Sequence, residues 1–101
     1  MIKVAIIGLG IMGRRMLQHM RLHEKFEPNY LWDPDKTACQ KAIEIDSEAK
    51  IMNSPEEAID AADLVYLACP PQVREAHAIQ TAQKGKALFL EKPLGIDIDQ
   101  S

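Results

Sequence analysis

The sequence predicts an α/β fold with a doubly wound parallel sheet in the order 3-2-1-4-5. Three observations carry that expectation: five short runs of aliphatic residues, helix-period segments between them, and links too short for anything but tight crossovers. Right-handed βαβ crossovers then leave few topologies open.

Residues 2–7 (IKVAII) form a nearly continuous aliphatic run, too short for a helix and rich in β-branched side chains, as in a strand covered on both faces. After the glycines, Met12, Met16, Leu17 and Met20 make one apolar stripe on a helix over about 11–23. Residues 30–33 (YLWD) read as the second strand, followed by a helix opening near Pro34 with Ala38, Ala42 and Ile43 inward. A short strand at 50–52 comes next. Ser54-Pro55-Glu56-Glu57 is then a helix start, with Ser54 as N-cap, Pro55 at the first helical position and Glu57 reaching back in a capping box. Residues 63–68 (DLVYLA) make the fourth strand. A helix over 72–84 stops at Gly85, and residues 87–90 (ALFL) make the fifth strand. There is no internal repeat or low-complexity segment, and 97–100 reads as the start of another helix, so a six-stranded sheet is expected to be truncated before its sixth strand. Residues 1–101 are thus expected to form one domain, incomplete and without a second domain.

Composition narrows the function. The 101 residues are 47% hydrophobic and 27% charged, with a net charge of −3 and no run of like charge, which disfavours a nucleic-acid surface. The longest apolar stretches fall far short of the roughly 20 residues of a membrane helix. Lys3 lies in an apolar run that passes directly into glycines, without the features of a signal peptide, so a cytoplasmic protein is expected. Cys39 and Cys69 suggest neither a disulfide framework nor a metal site and are read as packing residues.

Gly8-Leu9-Gly10-Ile11-Met12-Gly13 fits G-x-G-x-x-G, and its setting between the first strand and the first helix makes the match informative. Gly8 serves the tight turn, Gly10 lets backbone approach a pyrophosphate, and Gly13 permits close helix-to-strand packing. The N–H groups of Ile11 and Met12 at the helix start would bind the anion. Asp33 stands about twenty residues further on, the spacing of an acid that binds the adenosine ribose hydroxyls. A carboxylate there repels a 2′-phosphate, so NAD is favoured over NADP, with Lys36 partly offsetting the charge. The alternative is a structural glycine turn with Asp33 capping the following helix. Arg14 and Arg15 could add positive potential near the phosphates but are read as solvated helix-face residues.

Leu90-Glu91-Lys92-Pro93-Leu94-Gly95 follows the fifth strand at the rim where open parallel sheets bind ligands, and a lysine there can donate to a substrate hydroxyl or carbonyl. The plain alternative is a solvent-facing charged pair.

Taken together, GLGIMG after strand one, LWD ending strand two, ACPP after strand four and FLEKPLG after strand five resemble the glucose-fructose oxidoreductase/inositol dehydrogenase (Gfo/Idh/MocA) family, a Rossmann-fold family. The resemblance spans nearly the whole chain, and Glu91-Lys92-Pro93 is its most specific element. It implies that Lys92 contacts the nicotinamide ribose and the reacting hydroxyl as the catalytic lysine, with Glu91 beside it in the cofactor pocket. Cys69 and Pro70 would line the dinucleotide crevice. The family often shows Thr-Pro-Asn and then a histidine there, where this chain has Cys69-Pro70-Pro71 and Arg74; His77 is read as helix surface or packing.

The implied activity is NAD(P)-dependent hydride transfer to or from a secondary alcohol or carbonyl of a sugar, cyclitol or similar polyol. Turnover is expected only in a longer parent, a homo-oligomer whose later domain supplies the further acid or base. Two alternatives stand beside it. The β-hydroxyacid dehydrogenases share GLGIMG and a methionine-rich first helix but carry a serine- and glycine-rich motif after strand five. A non-catalytic NAD(P)-sensing module is the other. With its sheet incomplete, the chain is expected to expose apolar surface and to self-associate or be marginally stable.

Overall fold

The computed structural model describes residues 2–68 and 71–90. Nine elements alternate along them: β1 (Ile2–Ile7), α1 (Ile11–Leu22), β2 (Phe26–Trp32), α2 (Lys36–Ile45), β3 (Lys50–Ile51), α3 (Pro55–Ala61), β4 (Leu64–Leu67), α4 (Pro71–Gln83) and β5 (Ala87–Leu90). The five strands form one sheet, all pairs parallel, in the order β3-β2-β1-β4-β5. The expected topology is therefore the observed one.

Two cores flank the sheet because strand side chains alternate between its faces. On one face Val4, Ile6, Leu31 and Tyr66 meet Leu17 and Met20 of α1 and Ala38 and Ala42 of α2. On the other, Ala5, Ile7, Val65 and Leu67 meet Ala58, Ile59 and Ala62 at α3, with Ala78 of α4 against them. β1 is central, and its residues 4–7 are fully buried.

Three elements differ from the sequence reading. β2 begins at Phe26 rather than at Tyr30, and the strand contains Pro28. The pairing moves from Lys3↔Glu27 to Ala5↔Tyr30, so β2 advances three residues while β1 advances two. A proline cannot donate to the ladder, and the strand accommodates it with a bulge. The extra residue switches parity: Phe26 packs toward the α1 and α2 core, whereas Tyr30 and Trp32 pack on the other.

α2 opens at Lys36 with Asp35 as its N-cap, the carboxylate accepting from Thr37 N at 2.9 Å, so the chain turns through Pro34 before the helix starts. Met12, assigned to the buried stripe of α1, is 42% exposed; Gly13, Leu17 and Met20 are the buried residues of that helix. In the first turn it is Gly13 that faces the strands, which leaves Met12 on the outer side.

The N-cap at Ser54 and the stop at Gly85 act as expected, whereas the return bond to the Glu57 carboxylate that would complete a capping box does not form among the described residues. Ser54 Oγ accepts from Glu57 N at 3.2 Å and caps α3, with Pro55 in its first turn. Gly85 takes φ +72° after α4, where its N–H bonds the Ala82 carbonyl at 3.0 Å and the Lys86 N–H bonds Thr81 at 3.1 Å. That left-handed residue ends the helix.

Candidate dinucleotide site

β1 ends at the centre of the sheet and delivers Gly8-Leu9-Gly10 to the start of α1, beside the ends of β2 and β4. In this order β2 and β3 are added on one side of β1 and β4 and β5 on the other, and open α/β sheets bind ligands at the carboxyl end of such a switch point.

Gly8 holds φ +104°, a left-handed backbone that a side chain would strain. Its N–H donates to Trp32 O at 2.8 Å, so β2 pairs with the turn itself. A Cβ on Gly13 would overlap the Gly8 carbonyl oxygen and lie 3.5 Å from Ala68 Cβ; this glycine lets α1 close onto the strands. At Gly10 the same Cβ would meet nothing within 4 Å. Gly10 is exposed and faces open space, as a close backbone approach to a ligand requires.

Gly10 is also the N-cap of α1, and the helix has neither a side-chain cap nor an acidic residue in its first turn. Side chains of the helix therefore leave its leading N–H groups free of a local acceptor, the state that suits an incoming anion. Ile11 and Met12 at that end are both exposed.

Asp33, just past β2, reaches this loop. Its Oδ2 accepts from Leu9 N at 2.6 Å and its Oδ1 from Asp35 N at 2.7 Å. The sequence reading set a ribose-binding acid against a helix-capping one. The carboxylate bridges the glycine loop to the turn before α2, while Asp35 caps that helix. Since each carboxylate oxygen has more than one acceptor position, both can still accept from hydroxyl groups.

Arg14 departs from its expected role. It is half-buried, and its Nη1 donates to Leu9 O at 2.8 Å, whereas Arg15 is exposed as expected. Charge patterning could not show this bond, because the guanidinium reaches five residues back, out of the helix and into the loop.

Cys39 sits half-buried at the start of α2, and its Sγ contacts Asp33 O at 3.4 Å. Burial pushes its thiol pKa up, and the nearby Asp33 and Asp35 carboxylates add to that against the opposing hydrogen bond to Asp33. It is a packing thiol, as expected. His77 packs edge-on against Trp32, ring centroids 6.3 Å apart, which matches the packing role read for it. Cys69, Pro70, Glu91 and Lys92 lie outside the described residues. A cavity lined by Gln18, His19, Arg21, Leu22, Ile45 and Asp46 lies near the other end of α1 and contains none of the predicted site residues. Among the described residues, no group of three or more His, Cys, Asp or Glu could hold a metal ion, and no helix is long and apolar enough to cross a membrane.

Sheet order, glycine turn and tethered acid together define a nucleotide-binding domain of the doubly wound α/β class. Residues 2–101 match the model of the Gfo/Idh/MocA oxidoreductase family, described as an NAD-binding Rossmann fold, and the chain belongs to that family. The β-hydroxyacid dehydrogenase alternative is thereby set aside. An uncharacterized oxidoreductase of Streptococcus pneumoniae is 32% identical over 98 residues, covering 95% of this chain and 26% of that protein. The myo-inositol dehydrogenase of Lactobacillus casei, solved with NAD(H) and myo-inositol, superposes with a TM-score of 0.81 at 26% identity, over 92% of this chain and 29% of its own. Biliverdin reductase from Synechocystis, solved with biliverdin and NADP+, superposes with a TM-score of 0.85 at 25% identity, over 92% and 30%. The chain thus spans about a quarter to a third of the length of these relatives.

Proposed function

We propose that this chain is the cofactor-binding portion of a dehydrogenase that transfers hydride between a nicotinamide cofactor and a secondary alcohol or carbonyl of a sugar, cyclitol or similar polyol. The observation that carries the cofactor half is the bond from Leu9 N to Asp33 Oδ2, which joins the glycine loop to the acid just past β2. Gly10 would admit the pyrophosphate to the uncapped start of α1, where the N–H groups of Ile11 and Met12 donate to it, and Gly8 and Gly13 would hold the turn. Asp33 would accept from the adenosine ribose hydroxyls. The Asp33 carboxylate would repel a 2′-phosphate, with Lys36 partly offsetting it, which supports NAD over NADP.

The cofactor supplies the hydride chemistry, and this chain's residues bind and orient it. By the family resemblance, Lys92 would donate to the reacting oxygen of the substrate and Glu91, Cys69 and Pro70 would line the cofactor pocket. The inositol dehydrogenase neighbour supports a polyol substrate, while the biliverdin reductase neighbour has the same fold around a different molecule. Substrate choice then rests on the portion of those proteins beyond the matched domain, and the chain alone would bind cofactor without turnover.

The test is a separate titration with NADH and NADPH, followed through Trp32, the single tryptophan, which adjoins Asp33. Tighter binding of NADH supports the reading. Tighter NADPH binding would overturn the assigned preference, and a folded chain that binds neither would overturn the cofactor site.

A further inference from the structure

We infer that Arg14 is a positioning residue of the glycine loop: it holds the Leu9–Gly10 peptide in the orientation that offers the Gly10 N–H to a bound diphosphate. The inference rests on the dinucleotide-binding reading above.

The argument starts from the peptide unit. A trans peptide is planar, with its C=O and N–H pointing in opposite directions, and the chain has no cis peptide bonds among its described residues. The bond from Arg14 Nη1 to Leu9 O, 2.8 Å, therefore also fixes where the Gly10 N–H points, away from the guanidinium. Without that bond the unit is poorly restrained, because the residue after it is glycine. Gly10 sits at φ −73° but can adopt positive φ at little cost, and no neighbouring atom lies where its Cβ would be. A flip of this peptide would turn a carbonyl oxygen toward the anion in place of an N–H.

The preceding peptide is secured differently. Asp33 Oδ2 holds the Leu9 N–H at 2.6 Å, and the Gly8 carbonyl is wedged against Gly13. The Leu9 side chain is fully buried, so the loop pivots on a fixed point. Among the described residues, the side chain that holds the Leu9 carbonyl is Arg14.

Placement of the charge supports the same role. A cation near a helix N-terminus is opposed by the helix dipole, and α1 has no acidic residue in its first turn to pair with it. Arg14 is nonetheless half-buried against the loop, whereas Arg15 is exposed. The guanidinium is committed to a backbone carbonyl, which is how a brace behaves rather than a free counter-ion.

The experiment compares the chain with Arg14→Met, Arg14→Lys and Arg15→Met. Each is titrated with NADH, ADP-ribose and adenosine, and the glycine amide signals are followed by nitrogen-15 NMR. Arg14→Met should bind NADH and ADP-ribose about tenfold more weakly, the scale of one hydrogen bond to a charged group. Adenosine, which has no phosphate, should bind unchanged, and the Gly10 amide should broaden or split. Arg14→Lys should regain part of the loss, and Arg15→Met should lose much less. Equal losses for all three ligands, an equal loss in Arg15→Met, or no loss would each overturn the inference. If Arg14→Met does not fold, Arg14→Gln, whose shorter side chain falls short of Leu9, takes its place with the same expected outcomes. A folded parent chain that binds no nucleotide overturns the dinucleotide reading instead. The Gly10 amide then still decides whether Arg14 holds the peptide.

Discussion

A Cβ at Gly13 would run into the Gly8 carbonyl, whereas at Gly10 it would meet only open space. Gly13→Ala should therefore force α1 off the strands and cost about 1–3 kcal/mol of stability, measured by denaturant unfolding. Gly10→Ala, at an ordinary negative φ, should fold with nearly native stability yet bind NADH at least about tenfold more weakly, because a methyl group stands where the phosphate would approach. Calorimetric titration and melting of both variants separate the two effects. Asp33 combines them. Its carboxylate accepts from two backbone N–H groups, so Asp33→Ala should lower stability by about 1–3 kcal/mol as well as weaken NADH binding. Asp33→Asn retains one acceptor oxygen and should lose less stability than Asp33→Ala while still losing discrimination against NADPH.

Among the elements, α3 shows how local signals suffice for a short helix. Ser54 caps it, and Glu56 at its first turn accepts from Gln80 Nε2 of α4 at 3.2 Å. The Glu56 carboxyl is held below its ordinary pKa chiefly by a hydrogen bond from its own backbone N–H, then by Gln80. A depressed folded pKa means stability that is present above the unfolded value and lost as pH falls through the folded one. The melting temperature of wild type should thus fall toward that of Glu56→Gln as the pH drops below about 4, and the gap should be small because Glu56 is exposed. Arg21 is the contrasting case of a tie between elements. From α1 its Nε contacts the buried Asp46 at 2.5 Å and its Nη2 contacts Asn29 Oδ1 at 2.6 Å. Arg21→Met should cost about 2–4 kcal/mol, read by urea unfolding, because it leaves Asp46 buried without its cation. This pair was not legible in the sequence, since Arg21 is on α1 and Asp46 directly follows α2, and only the packing of α1 on α2 brings them together. The boundary of β2 was hidden for a related reason. Pro28-Asn29 carries the local chemistry of a turn, and only pairing with β1 makes it part of a strand. The caps at Ser54 and Gly85, by contrast, depend on adjacent residues and were readable directly.

On the scale of the whole molecule, strand count, order and layering were all legible, because alternating buried runs and helical stripes leave one simple way to wind the sheet. The glycine loop and its acid were legible through spacing. The Arg14 bond was not, because it depends on how far α1 rotates against the loop. The structure also shows exposed apolar side chains on the outer elements, with Ile79 of α4 51% exposed and Leu88 of the outermost strand 37% exposed. Isolated chain should therefore self-associate as its concentration rises, and Leu88→Lys should reduce that association; sedimentation velocity across a dilution series measures both. The bulge at Pro28 bears on how such domains are compared. Chain distance from the last glycine to the acid includes one residue that advances the backbone without advancing along its neighbour, and Arg21 grips that insertion through Asn29. Two relatives could thus place their carboxylates at the same point in space while differing by one in their count. An alignment that scores the interval as a fixed ruler would penalise the relative without the bulge, although its pocket would be the same.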